Sequence, residues 1–284
     1  MKTKLYVLLI LISALYAWGQ TPVSMSESEL EKMKREPMRD ELIGSAERIV
    51  SMSKDAEAQE VLDFVKRRSM LGLVRSNGVS LLDTPTSNTV VAFAPVFPED
   101  VKALQSFPAL RDVKGGLGSF LLDAAYPAIC IRCDRRLSWF TEGMVLLHEG
   151  DHAKESFERK QKARMPDDAY ADELRVWEFQ RRIEREAGGE HYGNAVTNAM
   201  RLIKDTVAEN GSKIGETFGN PGFYDTELDL AFGKAQSDVD RTSRQTALDL
   251  DANFLLLEKA YTGDELQKYK KLFIKLAYRP EYRH

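Results

Sequence analysis

Apolar residues recur at helical spacing from about Glu29 to Met70: Leu30, Met33, Leu42, Ile43, Ile49, Val50, Val61, Leu62 and Phe64 fit a 3.6-residue period. Pro37 and Lys54-Asp55 are expected to divide this stretch into short helices. The texture changes after Leu71. Leu73-Val74 and Val79 to Leu82 flank Asn77-Gly78, which predicts a hairpin. Thr89 to Val96, rich in β-branched residues and alanine, reads as a strand, and Pro98 to Phe107 as a short helix. Gly115 to Gly118 marks a turn before strand-like Phe120 to Leu122 and Ala128 to Cys133. From Ser138 the pattern is almost wholly helical, broken at Pro166, Gly188-Gly189, Asn210-Gly211, Gly219 to Gly222 and Thr262-Gly263. Met200, Leu202, Ile203, Val207, Phe254, Leu255, Leu256 and Phe273 read as core faces of the C-terminal helices.

The expected fold is therefore α+β and mostly helical, with a small central sheet and helices on both sides. One domain, 20–284, divides into a helical part 20–70, a sheet 71–137, a helical pair 138–187 and a helical C-terminal part 188–284. There is no internal repeat.

Residues 1–19 carry a different pattern. Lys2 and Lys4 precede an apolar run from Leu5 to Trp18, and Ala17 and Gly19 place small residues three and one before Gln20. This is the layout of a secretory signal peptide cut after Gly19, leaving a secreted or periplasmic chain with a flexible, serine-rich start at 20–28. The run of about 14 apolar residues falls short of the ~20 that a spanning helix needs, so no stable membrane insertion is expected after cleavage.

The 284 residues are 43% hydrophobic, enough to bury a core. The formal net charge is −4, and loss of Lys2 and Lys4 with no acid makes it −6. A mildly acidic exported chain is poorly suited to nucleic acid or anionic membranes.

The chemistry is concentrated in His148-Glu149-Gly150-Asp151-His152, an H-E-x-x-H sequence in helical context, with Ser138 or Thr141 able to cap the helix start. On a helix, residues four apart share a face, so both imidazoles reach one Zn²⁺ and Glu149 lies beside them. A metal-bound water is then acidic enough for Glu149 to take its proton during attack on a carbonyl. Two histidines leave a catalytic site one protein ligand short.

Over about His148 to Gln180 the chain resembles the gluzincin metallopeptidases, the thermolysin-like zinc enzymes in which a glutamate on the following helix completes the site. The resemblance implies a zincin-like catalytic domain, a zinc cofactor and a peptide or protein substrate. It also implies Glu173 as third ligand, 21 residues after His152, within Glu173-Leu174-Arg175-Val176. Geometry admits a competitor. A first helix running to Ala163 would travel ~16 Å beyond His152, setting the returning helix level with it nearer Glu178. Several gluzincins carry an aspartate four residues after the ligand glutamate, to orient a histidine; that position here is Trp177, and no other residue is assigned the role. Tyr170, one turn before Glu173, is a candidate oxyanion donor. The second helix carries the chain ~22 Å from Glu173 before Gly188, so His191 and Tyr192 reach the metal only if the chain folds back; neither is assigned to the site, and His191 is read as a surface-loop residue.

Two other readings use the same residues. One is an exported, non-catalytic zincin-like binding or structural protein. The other joins Cys130, Cys133, His148 and His152 as C-x₂-C-x₁₄-H-x₃-H, close to a C₂H₂ structural zinc spacing. A strand at Ala128 to Cys133 would point the two cysteines to opposite faces, against that arrangement and against a disulfide between them.

Overall fold

The computed structural model describes residues 25–76, 78–106, 117–121, 126–161, 169–210 and 225–277. The leader, Phe107, Gly115-Gly116, Leu122, Pro166 and Gly219 to Gly222 lie outside them. Helix α1 (Glu27–Ser53) starts at a capping box, in which Ser26 and Glu29 satisfy each other's backbone amides. Helix therefore begins within the stretch expected to be a flexible start. Lys54 takes a left-handed conformation, and Asp55 caps α2 (Ala56–Arg68), so the break expected at Lys54-Asp55 is present. The break expected at Pro37 is absent: α1 runs through it. Pro37 is exposed, so the carbonyl its missing amide would have met is open to water. Two residues earlier, buried Arg35 ties the helix to Asp100 at 2.9 Å and to the Pro95 carbonyl.

Helix α2 ends two residues before Met70, with three basic residues in its last turn. Met70 lies instead in β1 (Ser69–Arg75), which pairs antiparallel with β2 (Gly78–Leu81) in the expected hairpin, Val74 opposite Val79. Strand β3 (Val91–Val96) runs parallel to β1 and is followed by a 3₁₀ turn (Pro98–Asp100) and α3 (Val101–Ser106). Strands β4 (Gly118–Leu121) and β5 (Ala128–Arg132) are antiparallel, and β5 lies parallel to β3. The mixed sheet has the order β2-β1-β3-β5-β4, which leaves β4 at an edge. The remainder is α4 (Trp139–Gln161), α5 (Ala169–Asn210), α6 (Asp225–Phe232), α7 (Asp238–Ala260) and α8 (Gly263–Ala277). Gly189, at φ 54° and ψ −137°, interrupts α5.

The chain is α+β and mostly helical, but its helices are not shared evenly between the sheet faces. Val91, Phe93, Ile129 and Ile131 join α1, α2, α4 and α5 in the main core, whereas Ala92, Ala94, Ala128 and Cys130 face a smaller cluster with Val101 and Ala103 of α3. Ile203, Phe254, Leu256 and Phe273 are buried as the C-terminal pattern predicts. Helices α7 and α8 are held to α5 by a largely buried ionic clamp. Arg181 meets Asp251 at 2.8 Å and Glu258 at 2.5 Å, and Lys270 meets Glu258 at 2.7 Å. No helix among the described residues is long and apolar enough to cross a membrane.

Candidate metal centre

Helix α4 carries the H-E-x-x-H residues and is fixed at several points. The Ser138 hydroxyl caps the Thr141 amide at 3.4 Å. Asp240 of α7, fully buried, accepts from the Ser138 amide at 2.8 Å and from the Thr141 hydroxyl. A carboxylate there also complements the positive end of the α4 dipole. A Cβ on Gly150 would come within 2.9 Å of Val65, so the middle residue of the motif is a glycine because α2 packs directly on it. Buried Asp151 accepts from Arg175 at 2.5 Å, which ties α4 to α5.

His148 and His152 are both buried, with ring centroids 5.1 Å apart. Each turns Nε2 toward Glu173, at 3.7 Å from His148 and 3.4 Å from His152. Their other nitrogens are held from outside the cluster. Nδ1 of His148 lies 3.0 Å from Gln180 Oε1, and Nδ1 of His152 lies 2.9 Å from Asp172 Oδ2. An amide oxygen and an ionised carboxylate only accept, so Nδ1 is the donor in both pairs and a neutral ring keeps its lone pair on the Glu173 side. Outward support of this kind orients metal-ligating histidines.

The donor set fits a divalent cation. One ligand atom from each of His148, His152 and Glu173 lies within 4.8 Å of the others. Tetrahedral bonds of ~2.0–2.2 Å would separate such donors by roughly 3.3–3.6 Å. Glu173 Oε2 is buried without a hydrogen-bond partner, as an atom awaiting a ligand would be. Burial works against charge on Glu173, but the two imidazoles facing it hold its carboxyl well below the usual range. Burial likewise opposes charge on His152, yet Asp172, Glu173 and Glu149 push it up to about 10. A cation entering the site must displace that proton.

Glu149 follows His148 on α4 and packs against the edge strand β4. A Cβ on Gly118 of β4 would lie 2.8 Å from Glu149 Cγ and 2.9 Å from its Oε1, so only glycine admits this approach. Burial raises the Glu149 pKa and the Glu173 charge adds to it, while His148, His152 and a hydrogen bond from the Phe120 backbone oppose it.

Glu178 does not join the cluster; it pairs with Arg181 at 2.8 Å and with Lys270. Helix α4 does reach Gln161, the long-helix case in which counting levels points to Glu178. The count fails because α5 begins already alongside α4: Asp172 meets Arg159 and His152, and Arg175 meets Asp151. Tyr170 packs against the cluster of Leu174, Leu250, Phe254, Leu257, Phe273 and Ile274, with Lys275 Nζ 5.9 Å from its ring. His191 is exposed and pairs with Glu227 at 3.1 Å, on a helix rather than a loop. Tyr192 is buried and donates to Glu184 at 2.8 Å.

Cys130 and Cys133 are free thiols on opposite sides of the sheet, Cys130 in the smaller cluster and Cys133 against the main core. They cannot complete a four-residue site with the histidines. Burial pushes both thiols up to about 12.

Asp172 and Gln180 are the site residues that the sequence reading missed. A signal was available for Gln180: Glu173, Gln180 and Glu184 fall at i, i+7 and i+11, polar residues along one face of a helix whose buried face should be apolar. Trp177 stands edge-on to His148 at 5.2 Å, a packing contact at the position four residues after Glu173. No protein-family model, no curated protein and no solved structure matches this chain.

Proposed function

We propose that this chain is an exported zinc-dependent peptidase of gluzincin type, with a zincin-like fold around His148, His152 and Glu173. One observation carries the reading: two Nε2 atoms converge on a buried carboxylate while both Nδ1 atoms are held from behind. Zinc in this cluster would supply a Lewis acid that acidifies a water and polarises the scissile carbonyl. Glu149, beside the cluster, would take the water's proton and pass it to the leaving amine. The outer edge of β4, next to Glu149, has no strand partner among the described residues. An extended substrate can add there by main-chain hydrogen bonds.

The test separates catalyst from scaffold. Glu149→Gln keeps shape but cannot accept a proton, so hydrolysis of a mixed peptide library should fall at least ~10²-fold with zinc stoichiometry unchanged. His148→Ala should lose both zinc and activity. Undiminished cleavage by Glu149→Gln would sink the mechanism. Full zinc loading of a wild type that cleaves no peptide in the library would favour a non-catalytic zincin-like protein instead.

A further inference from the structure

We propose that Glu184 is a positioning residue that fixes the orientation of His148 at the metal cluster by setting the direction of the Gln180 amide between them. The inference rests on the metal reading above.

The residues form one buried chain. His148 Nδ1 meets Gln180 Oε1 at 3.0 Å, Gln180 Nε2 donates to Glu184 Oε1 at 2.7 Å, and Tyr192 donates to Glu184 Oε2 at 2.8 Å. Exposure of the three residues behind His148 is 7%, 3% and 1%, so water does not substitute for any of these partners. An amide alone is ambiguous. Turned one way, Gln180 offers His148 an acceptor; turned the other, it offers two donors and selects the tautomer that puts hydrogen on Nε2, where a metal must bind.

The carboxylate removes this ambiguity. An ionised Glu184 only accepts, so the Gln180 NH₂ must face it and Oε1 must face His148. A proton on Glu184 would sit on Oε2, where the Tyr192 oxygen can accept it, so Oε1 accepts from Gln180 in either state. With Glu184 ionised, every donor in the chain points toward it, 36 residues from His148 in sequence.

The experiment uses the full chain with three variants. Glu184→Leu/Tyr192→Phe removes the anchor together with the hydroxyl it would strand. Gln180→Glu/Glu184→Gln exchanges acid and amide and rebuilds every link: the carboxylate at position 180 accepts from His148 and from the amide at position 184, which accepts from Tyr192. Tyr192→Phe alone leaves the Gln180–Glu184 bond intact.

Zinc affinity, read by competition with a chromophoric chelator, should weaken ~10-fold in the anchorless variant, stay within about twofold of wild type in Tyr192→Phe, and be no weaker than wild type in the exchange variant, whose carboxylate is the stronger acceptor. The hydrogen-bonded Nδ1–H of His148, seen by ¹⁵N–¹H NMR of zinc-loaded protein, should persist in the exchange variant. A role confined to packing predicts instead that affinity tracks melting temperature across all three. Wild-type affinity in the anchorless variant, or a tenfold loss in the exchange variant, would overturn the inference while leaving the metal reading intact. If the anchorless variant does not fold, the exchange variant decides alone by the same criterion. Failure of wild type to bind zinc would overturn the metal reading and this inference with it.

Discussion

The two histidines of the cluster stand one helical turn apart on α4, yet they are held in opposite ways. His152 leans on Asp172, a full charge in a partly exposed frame that also takes Arg159 at 2.7 Å and Arg175 at 3.2 Å. His148 leans on a neutral amide, backed by a single acid deep in the helix packing. A charged acceptor forms the stronger hydrogen bond and can be shared with arginines at the rim; inside, where an extra charge is costly to bury, an amide passes the same demand to one carboxylate.

The sharpest way to break this contrast is to remove each support in turn. Asp172→Ala should weaken zinc binding ~100-fold and Gln180→Ala ~10-fold, the two ends of the range for such outer partners. Chelator competition on both variants at one pH checks the order. Equal losses would show that charge is not what distinguishes the two supports.

How much of this was visible in the sequence follows from distance along the chain. The hairpin at Val74–Val79, strand β3 and the His148–His152 pair are local patterns, and each is where periodicity or spacing puts it. The placement of the two cysteines on opposite faces was also legible, because strand parity alone decides it. Pro37 misled because a helix interior normally excludes proline, and the contacts of Arg35 with Asp100 and Pro95 that hold α1 together span more than fifty residues. The choice between Glu173 and Glu178 depended on where α5 sets down against α4, which residue counting does not determine. Asp172 escaped notice beside Glu173 because its partner lies on the other helix.

A smaller effect, on stability rather than affinity, distinguishes the buried acid from the clamp beyond it on α5. Burial pushes Glu184 up to about 7, with Asp251 adding to it against hydrogen bonds from Gln180 and Tyr192. Its pKa is raised above the unfolded value near 4.5, so its contribution is fully present below that pH and is lost as pH rises through 7. Glu258 is opposite: burial would raise it, but Arg181 and Lys270 hold it at about 2, so its contribution is present above pH 4.5 and is lost as pH falls through 2. Thermal melting of chelator-treated protein should therefore show Glu184→Gln flattening the fall between pH 5 and 8. Glu258→Gln should be destabilised at neutral pH and converge on wild type near pH 2. An unchanged alkaline slope in Glu184→Gln would mean that Glu184 does not titrate in that window.

The smallest expected effect belongs to Tyr170, one turn before Glu173 and the sequence-level candidate for an oxyanion donor. Its ring is partly buried among Leu174 and the α7–α8 side chains, with Lys275 above it, so its apolar body is already committed to the interface between helices. A phenol used as an oxyanion donor must instead present its hydroxyl ~3 Å from where the substrate oxygen gains charge. Tyr170→Phe keeps the ring and removes only the hydroxyl, so it should leave packing and melting temperature almost unchanged. If the ring serves the helix interface, kcat/KM on a cleaved peptide should stay within about twofold, whereas removing a working oxyanion donor costs ~10²–10³ in kcat. Steady-state kinetics of wild type and Tyr170→Phe, matched for zinc content, separate these values by more than an order of magnitude. A loss of the larger size would mean that the ring leaves the α5–α7–α8 interface when substrate binds, and that the half of α5 supporting His152 also supplies the group that stabilises the transition state.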